Sequence, residues 1–264
     1  MKLRVSRHSS AFTLMEILVV IAIILVLAAI AVPVMTAVRM KANKQVAMAN
    51  MNSLATALAA YSNSNDGTLP DEDAKGSDTW QVAADPESAK AWYNALPKLA
   101  GHKGVGDFAS NPRDFYSKEN LMWLPGATYP SGGKELAKPL FAIAINTKLQ
   151  RKSKDEAAGK DAKKEPVKMS QITHTSKTVI FLEQGIEKEP QAMRVQPAYD
   201  GSCKGSAKSF VARYGGQGVL LFLDGHAETV ETKDLLTETG KIIWTEGEIP
   251  RYIWCRTPEE DPNK

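Results

Sequence analysis

Apolar residues are concentrated near the start of the chain, where their spacing predicts one long helix. Residues 17–35 are nineteen positions without a charge, interrupted only by Pro33. This length suffices to cross the hydrocarbon core of a bilayer, which needs roughly 20 apolar residues. Beyond Pro33 the apolar positions continue at helical spacing, at Ala47, Met51, Leu54, Leu58 and Tyr61. The pattern predicts a helix with a membrane half over 12–35 and an amphipathic half over 36–64.

The remaining residues, 65–264, have the pattern of a mixed domain. Turn-forming residues between Ser62 and Pro70 end the helix, and residues 80–99 predict a short helix carrying Trp92 and Tyr93. Three later segments are rich in β-branched and aromatic residues and predict strands, at 139–146, 177–185 and 218–231. We expect an α+β fold in which a small antiparallel sheet packs on the second half of the long helix.

The third strand segment, residues 218–231, predicts a β-hairpin. It contains Asp224-Gly225 between two runs of strand-forming residues. An Asp-Gly pair favours a two-residue primed turn, because both of its positions need a positive φ. We therefore expect the two strands to be joined at Asp224 and Gly225.

Charge divides the chain into a basic start and a balanced remainder. The formal net charge is +3, and Lys2, Arg4 and Arg7 precede the apolar run. Without them the chain has 30 basic and 30 acidic residues, which argues against nucleic-acid binding. Residues 148–168 hold eight basic and four acidic residues and predict a flexible charged loop. By the positive-inside rule, we expect a single-pass membrane protein with a cytoplasmic N-terminus and an extracytoplasmic domain at 65–264.

Glu16 is the one acidic residue at the start of this apolar segment. A charge within a bilayer is costly, although the cost falls near the interface. Three interpretations accommodate the segment: a plain anchor with an interfacial Glu16, a secretory signal cut after Ala31, or a segment in which the carboxylate has a partner. The residues around Glu16 favour the third.

Residues 11–33, Ala-Phe-Thr-Leu-Met-Glu followed by an apolar run and Pro33, resemble the N-terminus of type IV prepilins and type II secretion pseudopilins. The resemblance implies that residues 1–11 are a leader, that the prepilin peptidase cuts between Ala11 and Phe12, and that Phe12 is then N-methylated. Family members usually have Gly before the cut, so Ala11 leaves the efficiency of processing open.

The resemblance also implies roles in assembly. The new ammonium group of Phe12 would pair with Glu16 of a neighbouring subunit, and Pro33 would mark a segment that melts on assembly, or simply a kink. The implied function is that of a non-enzymatic pilus or pseudopilus subunit, whose partners are the prepilin peptidase, other pilin or pseudopilin subunits and the inner membrane. The alternative is a monomeric, membrane-anchored enzyme or binding protein that uses the same export signal.

A second resemblance concerns the hairpin region, to a pilin-like family with His, nine residues and then Asp-Gly near its C-terminus. Here Tyr214 stands where that family has His. The other motif positions are Arg213, Gly215, Gly216, Asp224, Gly225 and His226. Tyr can replace His in a stacking or hydrogen-bonding role more easily than it can replace His as a metal ligand.

Other candidate chemistry is sparse. The four histidines are dispersed and no nucleophile, phosphate-binding or zinc motif occurs in its required context, so we expect neither catalysis nor a resident cofactor. Five acids between Asp66 and Asp78 form either a calcium-binding loop or a solvated acidic loop. Cys203 and Cys255 either form a disulfide in an oxidising compartment or stay buried and unpaired.

Overall fold

The computed structural model of the chain describes residues 14–73, 79–130, 136–150, 167–186, 189 and 201–263. The chain forms two compact units, Met1–Ala42 and Asn43–Lys264. The predicted leader, the cleavage site at Ala11 and Phe12, and residues 151–166 of the predicted charged loop lie outside the described residues.

Helix α1 spans Leu14–Ser64, which confirms the long helix predicted from the apolar spacing. It continues through Pro33, and the hydroxyl of Thr36 donates to the carbonyl of Val32 at 3.1 Å. The helix ends where the amide of Gly67 donates back to the carbonyl of Ser62 at 2.9 Å. Gly67 adopts a φ of 74° there, the left-handed conformation with which helices commonly terminate.

The amphipathic half of α1 contributes one stripe of side chains to the core of the second unit. Ala47, Met51, Leu54 and Leu58 are buried as predicted, and Tyr61 is half-buried. Three short helices pack in the same unit: α2 (Trp80–Ala84), α3 (Trp92–Leu99) and α4 (Pro112–Phe115). Trp92 and Tyr93 of α3 are buried, and the ring of Trp92 lies 4.9 Å from that of Phe181, so the aromatic residues of α3 belong to the core.

The sheet has five strands: β1 (Ile143–Asn146), β2 (Val179–Glu183), β3 (Lys204–Gly205), β4 (Gln217–Phe222) and β5 (Ala227–Glu231). Their order is β3-β1-β2-β4-β5. The predicted strand segments and the α+β class are confirmed. The sheet is mixed rather than antiparallel, because the short β3 pairs in parallel with β1.

Both faces of the sheet are covered. Alternate residues of β4 pack in two different hydrophobic clusters. Val219 and Leu221 pack in the cluster that includes the buried residues of α1. Leu220 and Phe222 pack with residues that follow the hairpin, among them Leu235 and Trp254. This double burial explains why β1, β2 and β4 read as nearly continuous apolar runs.

The hairpin of β4 and β5 is confirmed, but its predicted turn type is wrong. Gly225 has a φ of 96°, whereas no positive φ occurs at Asp224. The amide of Gly225 donates to the carbonyl of Phe222 at 3.0 Å, and the amide of Phe222 donates to the carbonyl of His226 at 2.9 Å. The connection is thus a three-residue loop with glycine in the left-handed position. Only one of its positions therefore needs a positive φ.

Candidate functional site

The apolar half of α1 is exposed on every side. From Leu14 to Val38, each of the seventeen large apolar side chains is exposed, by between 47% at Val19 and 82% at Leu14. Its most apolar window has a mean hydropathy of 3.4, and the length suffices to cross a membrane. Since a helix that is apolar all round needs a covering of lipid or protein, this segment is the first candidate site.

Glu16 lies in the first turn of α1 with its side chain exposed. A carboxylate at this end of a helix is favoured by the partial positive charge of the unpaired backbone amides. Its expected partner, the ammonium group that cleavage creates on Phe12, lies outside the described residues. The placement leaves Glu16 at the start of an exposed apolar surface, where a neighbouring chain can reach it.

The second candidate site is the hairpin motif, which begins with a buried ion network around Arg213. One terminal guanidinium nitrogen of Arg213 lies 3.1 Å from Glu183 Oε2, and its Nε lies 2.7 Å from Glu189 Oε1. A further nitrogen donates to the carbonyl of Gln184 at 2.5 Å and to Glu189 Oε2 at 3.0 Å. All three charged side chains are fully buried.

The network ties together segments that are distant in the sequence. Glu183, at the end of β2, also accepts from the amide of Val219 in β4 at 3.1 Å. Glu189 accepts from the amide of Ile186 at 2.9 Å. These bonds satisfy the buried charges, which would otherwise be strongly destabilising. The network therefore links β2, β4 and the segment around Glu189, and its role is structural.

One guanidinium faces two carboxylates here, and the electrostatics follow from that excess of acid. Burial raises the pKa of Glu183 to about 7, against the opposing attraction of Arg213. Both carboxylates raise the pKa of Arg213, against the effect of its burial. Burial, with Glu183 nearby, also raises the pKa of Tyr214.

The structure places the two halves of the hairpin motif at opposite ends of β4. At the first end, Tyr214 and Gln217 exchange backbone hydrogen bonds of 2.8 and 3.3 Å across Gly215 and Gly216. These glycines have φ values of 65° and 85°, so the two-residue primed turn lies here rather than at Asp224-Gly225. Tyr214, which stands at the position of the resembled family's His, is buried.

At the other end of β4, Asp224 and His226 form a local pair. Nδ1 of His226 lies 2.6 Å from Oδ1 of Asp224, and the His226 ring stacks on Phe222 at 4.3 Å between centroids. Because β4 separates this pair from Arg213 and Tyr214, the motif residues do not converge on one catalytic centre. They shape the two ends of a strand.

The cysteines and the acidic segment can also be placed. Cys203 and Cys255 are both buried and form no disulfide with each other, and burial raises the pKa of the Cys255 thiol to about 12. Asp66 pairs with Lys168 at 2.5 Å, and Asp73 pairs with Lys204, while residues 74–78 of the predicted acidic loop lie outside the described residues. Within the described ranges, no group of three His, Cys, Asp or Glu side chains is placed to hold a metal ion.

Sequence reasoning missed Glu183 and Glu189 as partners of Arg213. Glu183 ends the apolar run Val-Ile-Phe-Leu-Glu of β2, and a carboxylate in a strand buried on both faces indicates an internal cation. That signal could have identified Glu183. Glu189 follows the strand in a polar segment and gave no comparable signal.

Comparison with known proteins supports the N-terminal site. Residues 6–32 match the family described as the prokaryotic N-terminal methylation motif. No curated protein and no solved structure matches the chain. The chain thus carries a prepilin-type N-terminus with a long apolar helix, which indicates a pilin-like or pseudopilin-like substrate of the prepilin peptidase.

Proposed function

We propose that the chain is a structural subunit of a type IV pilus or of a type II secretion pseudopilus. It is exported with its N-terminus in the cytoplasm and its domain outside the inner membrane. The prepilin peptidase cleaves it between Ala11 and Phe12, and Phe12 is methylated. The mature chain then polymerises through the apolar half of α1, and its role is structural rather than enzymatic.

The exposed apolar half of α1 carries this proposal. On membrane-insertion scales each Leu, Ile or Val contributes about 0.3–0.6 kcal/mol to transfer into the bilayer. Fifteen of the seventeen exposed large apolar side chains are Leu, Ile or Val, and they favour insertion by roughly 4–9 kcal/mol, more than the ~3 kcal/mol that a central charge costs. The segment thus enters the membrane despite Glu16, and neighbouring apolar helices replace the lipid in the polymer.

Glu16 determines which packing of neighbouring helices is favoured rather than how strongly the helices associate. A carboxylate surrounded by apolar helices is unfavourable unless it is paired, and cleavage creates a cation four residues before it. Helices whose Glu16 meets the Phe12 ammonium of a neighbour are favoured, whereas other registers leave both charges unpaired. The pair therefore selects the register of the polymer.

The test is Glu16→Ala, with Glu16→Gln as a variant of matched shape that also lacks the charge. Filaments are sheared from cells and pelleted, and the N-terminus of the membrane-bound chain is read by mass spectrometry. We expect both variants to be inserted and processed, but to yield about tenfold less polymer or none. Polymer at the wild-type level in Glu16→Ala would refute the proposal and favour the anchored monomer.

A further inference from the structure

The turn of α1 that follows the apolar segment carries two cations. Residues 38–41 read Val-Arg-Met-Lys, and we call them the basic turn. All four side chains are exposed, with Val38 at 55% and Met40 at 37%. No acidic residue occurs between Glu16 and Asp66, so the helix itself offers Arg39 and Lys41 no counter-charge.

A loop after the hairpin has the opposite charge. Residues 243–249 read Ile-Trp-Thr-Glu-Gly-Glu-Ile, and we call them the acidic loop. Ile243 is 41% exposed and Ile249 is 54% exposed, and the acids between them, Glu246 and Glu248, are exposed as well. The indole nitrogen of Trp244 donates to the carbonyl of Pro258 at 2.8 Å. This bond fixes the base of the loop and leaves its tip accessible.

The acids of this loop differ from the neighbouring acids in their partners. Glu228 pairs with Arg251, Glu231 with Lys233, and Asp224 with His226. The side chains of Glu246 and Glu248 form no ion pair or hydrogen bond with the residues that the structure describes, and the same is true of Arg39 and Lys41. Both surfaces thus keep their charges for an external partner.

We propose that, in the polymer, the basic turn of one copy docks on the acidic loop of another copy. This inference rests on the proposed function, and it identifies a contact that the N-terminal motif does not assign. Each surface offers two charges beside exposed apolar side chains, so ion pairs and apolar contacts form together. Val38 and Lys41 lie three residues apart and share one face of the helix, which lets one side of the turn present both chemistries.

The contact is heterologous, because the two surfaces differ and lie on different parts of the chain. A heterologous contact that does not close into a ring generates an open helical filament, as the proposed function requires. Complementary charges at such a contact fix the register and exclude wrong neighbours more than they add affinity. The contact complements the Glu16 pair by setting the position of the domains.

Anionic lipid headgroups are the competing partner for the basic turn. Ile17 to Val38 is 22 residues, or roughly 33 Å of helix, close to the thickness of the hydrocarbon core. Arg39 would therefore lie at headgroup level in a spanning subunit. Lipid binding, however, gives the acidic loop no role. Changes in the acidic loop therefore affect assembly only if the partner of the basic turn is another copy of the chain.

The experiment reverses the charges in the full chain, expressed in its native cells beside the wild type. One variant carries Arg39→Glu with Lys41→Glu, a second carries Glu246→Lys with Glu248→Lys, and a third combines all four changes. Glu87→Lys, which reverses an exposed acid elsewhere in the domain, is the matched control. The polymer sheared from cells is measured against the processed chain that remains in the membrane.

We expect each reversed pair to lower the polymer by about tenfold, since like charges then face each other. The combined variant is expected to recover most of it, and Glu87→Lys to assemble as the wild type does. Loss in the basic-turn variant alone would assign the turn to lipid and overturn the inference, as would failure of the combined variant to recover. A wild-type chain that forms no polymer would instead refute the proposed function.

Discussion

Glu183 gives the domain a pH dependence opposite to that of most carboxylates. Its folded-state pKa is raised to about 7 from 4.5 because it is fully buried, so the folded state holds its proton more tightly than the unfolded state does. The free energy of unfolding therefore falls as the pH rises from about 4.5 to about 7 and stays low above that range. At 1.36 kcal/mol per pKa unit, most of the effect, about 2–3 kcal/mol, lies between about pH 5 and pH 8.

Glu183→Gln removes this titration while keeping the shape of the side chain. Urea unfolding of the full chain in detergent, followed by tryptophan fluorescence, is compared for the variant and the wild type at about pH 5 and pH 8. We expect the wild type to lose about 2–3 kcal/mol relative to the variant over this range. Glu231→Gln, at a half-exposed carboxylate, is the control and should follow the wild type. If the free energy of unfolding changed equally with pH in the wild type and in Glu183→Gln, the reasoning would be refuted.

Three further substitutions test the packing of the domain by the same urea titration. Leu54→Ala empties a fully buried position of α1 and should cost about 2–5 kcal/mol; a loss below 1 kcal/mol would contradict the predicted stripe. Gly218→Ala brings a methyl group within 2.4 Å of the carbonyl oxygen of Val211, so we expect a loss of about 1–3 kcal/mol, and an unchanged midpoint would contradict that crowding. Arg213→Met leaves the buried carboxylates of Glu183 and Glu189 without their cation and should cost about 3–5 kcal/mol, so a loss below 1 kcal/mol would contradict the role of the network.

Those features of the fold that depend on local sequence could be predicted. The long helix follows from nineteen uncharged residues and a continued apolar stripe, and Met51 and Leu54 are buried where the spacing puts them. The strands β1, β2 and β4 follow from short apolar runs, and β5, Ala-Glu-Thr-Val-Glu, follows from its β-branched residues after the Asp-Gly turn signal. In each case the residues that carry the signal are also those that form the element.

Features that depend on pairing between distant segments could not be predicted. Strand β3 has two residues and no strand-forming side chain, and it exists because Lys204 and Gly205 lie beside β1. Arg213 was predicted only as a position of the hairpin motif, and its buried ion pairs with Glu183 and Glu189, which span 30 and 24 residues, could not be read from the sequence. The primed turn at Gly215-Gly216 was missed because the Asp-Gly pair gave the stronger turn signal in the sequence.

The candidate sites divide in the same way. The N-terminal motif could be identified from consecutive residues, and residues 6–32 match the methylation motif. The two ends of the hairpin motif looked like one site in the sequence, but β4 holds them apart. The acidic loop lacks a motif altogether, and its exposure emerges only once the rest of the C-terminal segment has packed on the sheet.

Mass spectrometry of the N-terminus of the protein, purified from its native cells, tests the central claim most directly. We predict a chain that begins at Phe12 and carries one methyl group on its amine. A chain that begins at Met1 would contradict prepilin processing, and one that begins at Val32 would identify an ordinary secretory signal.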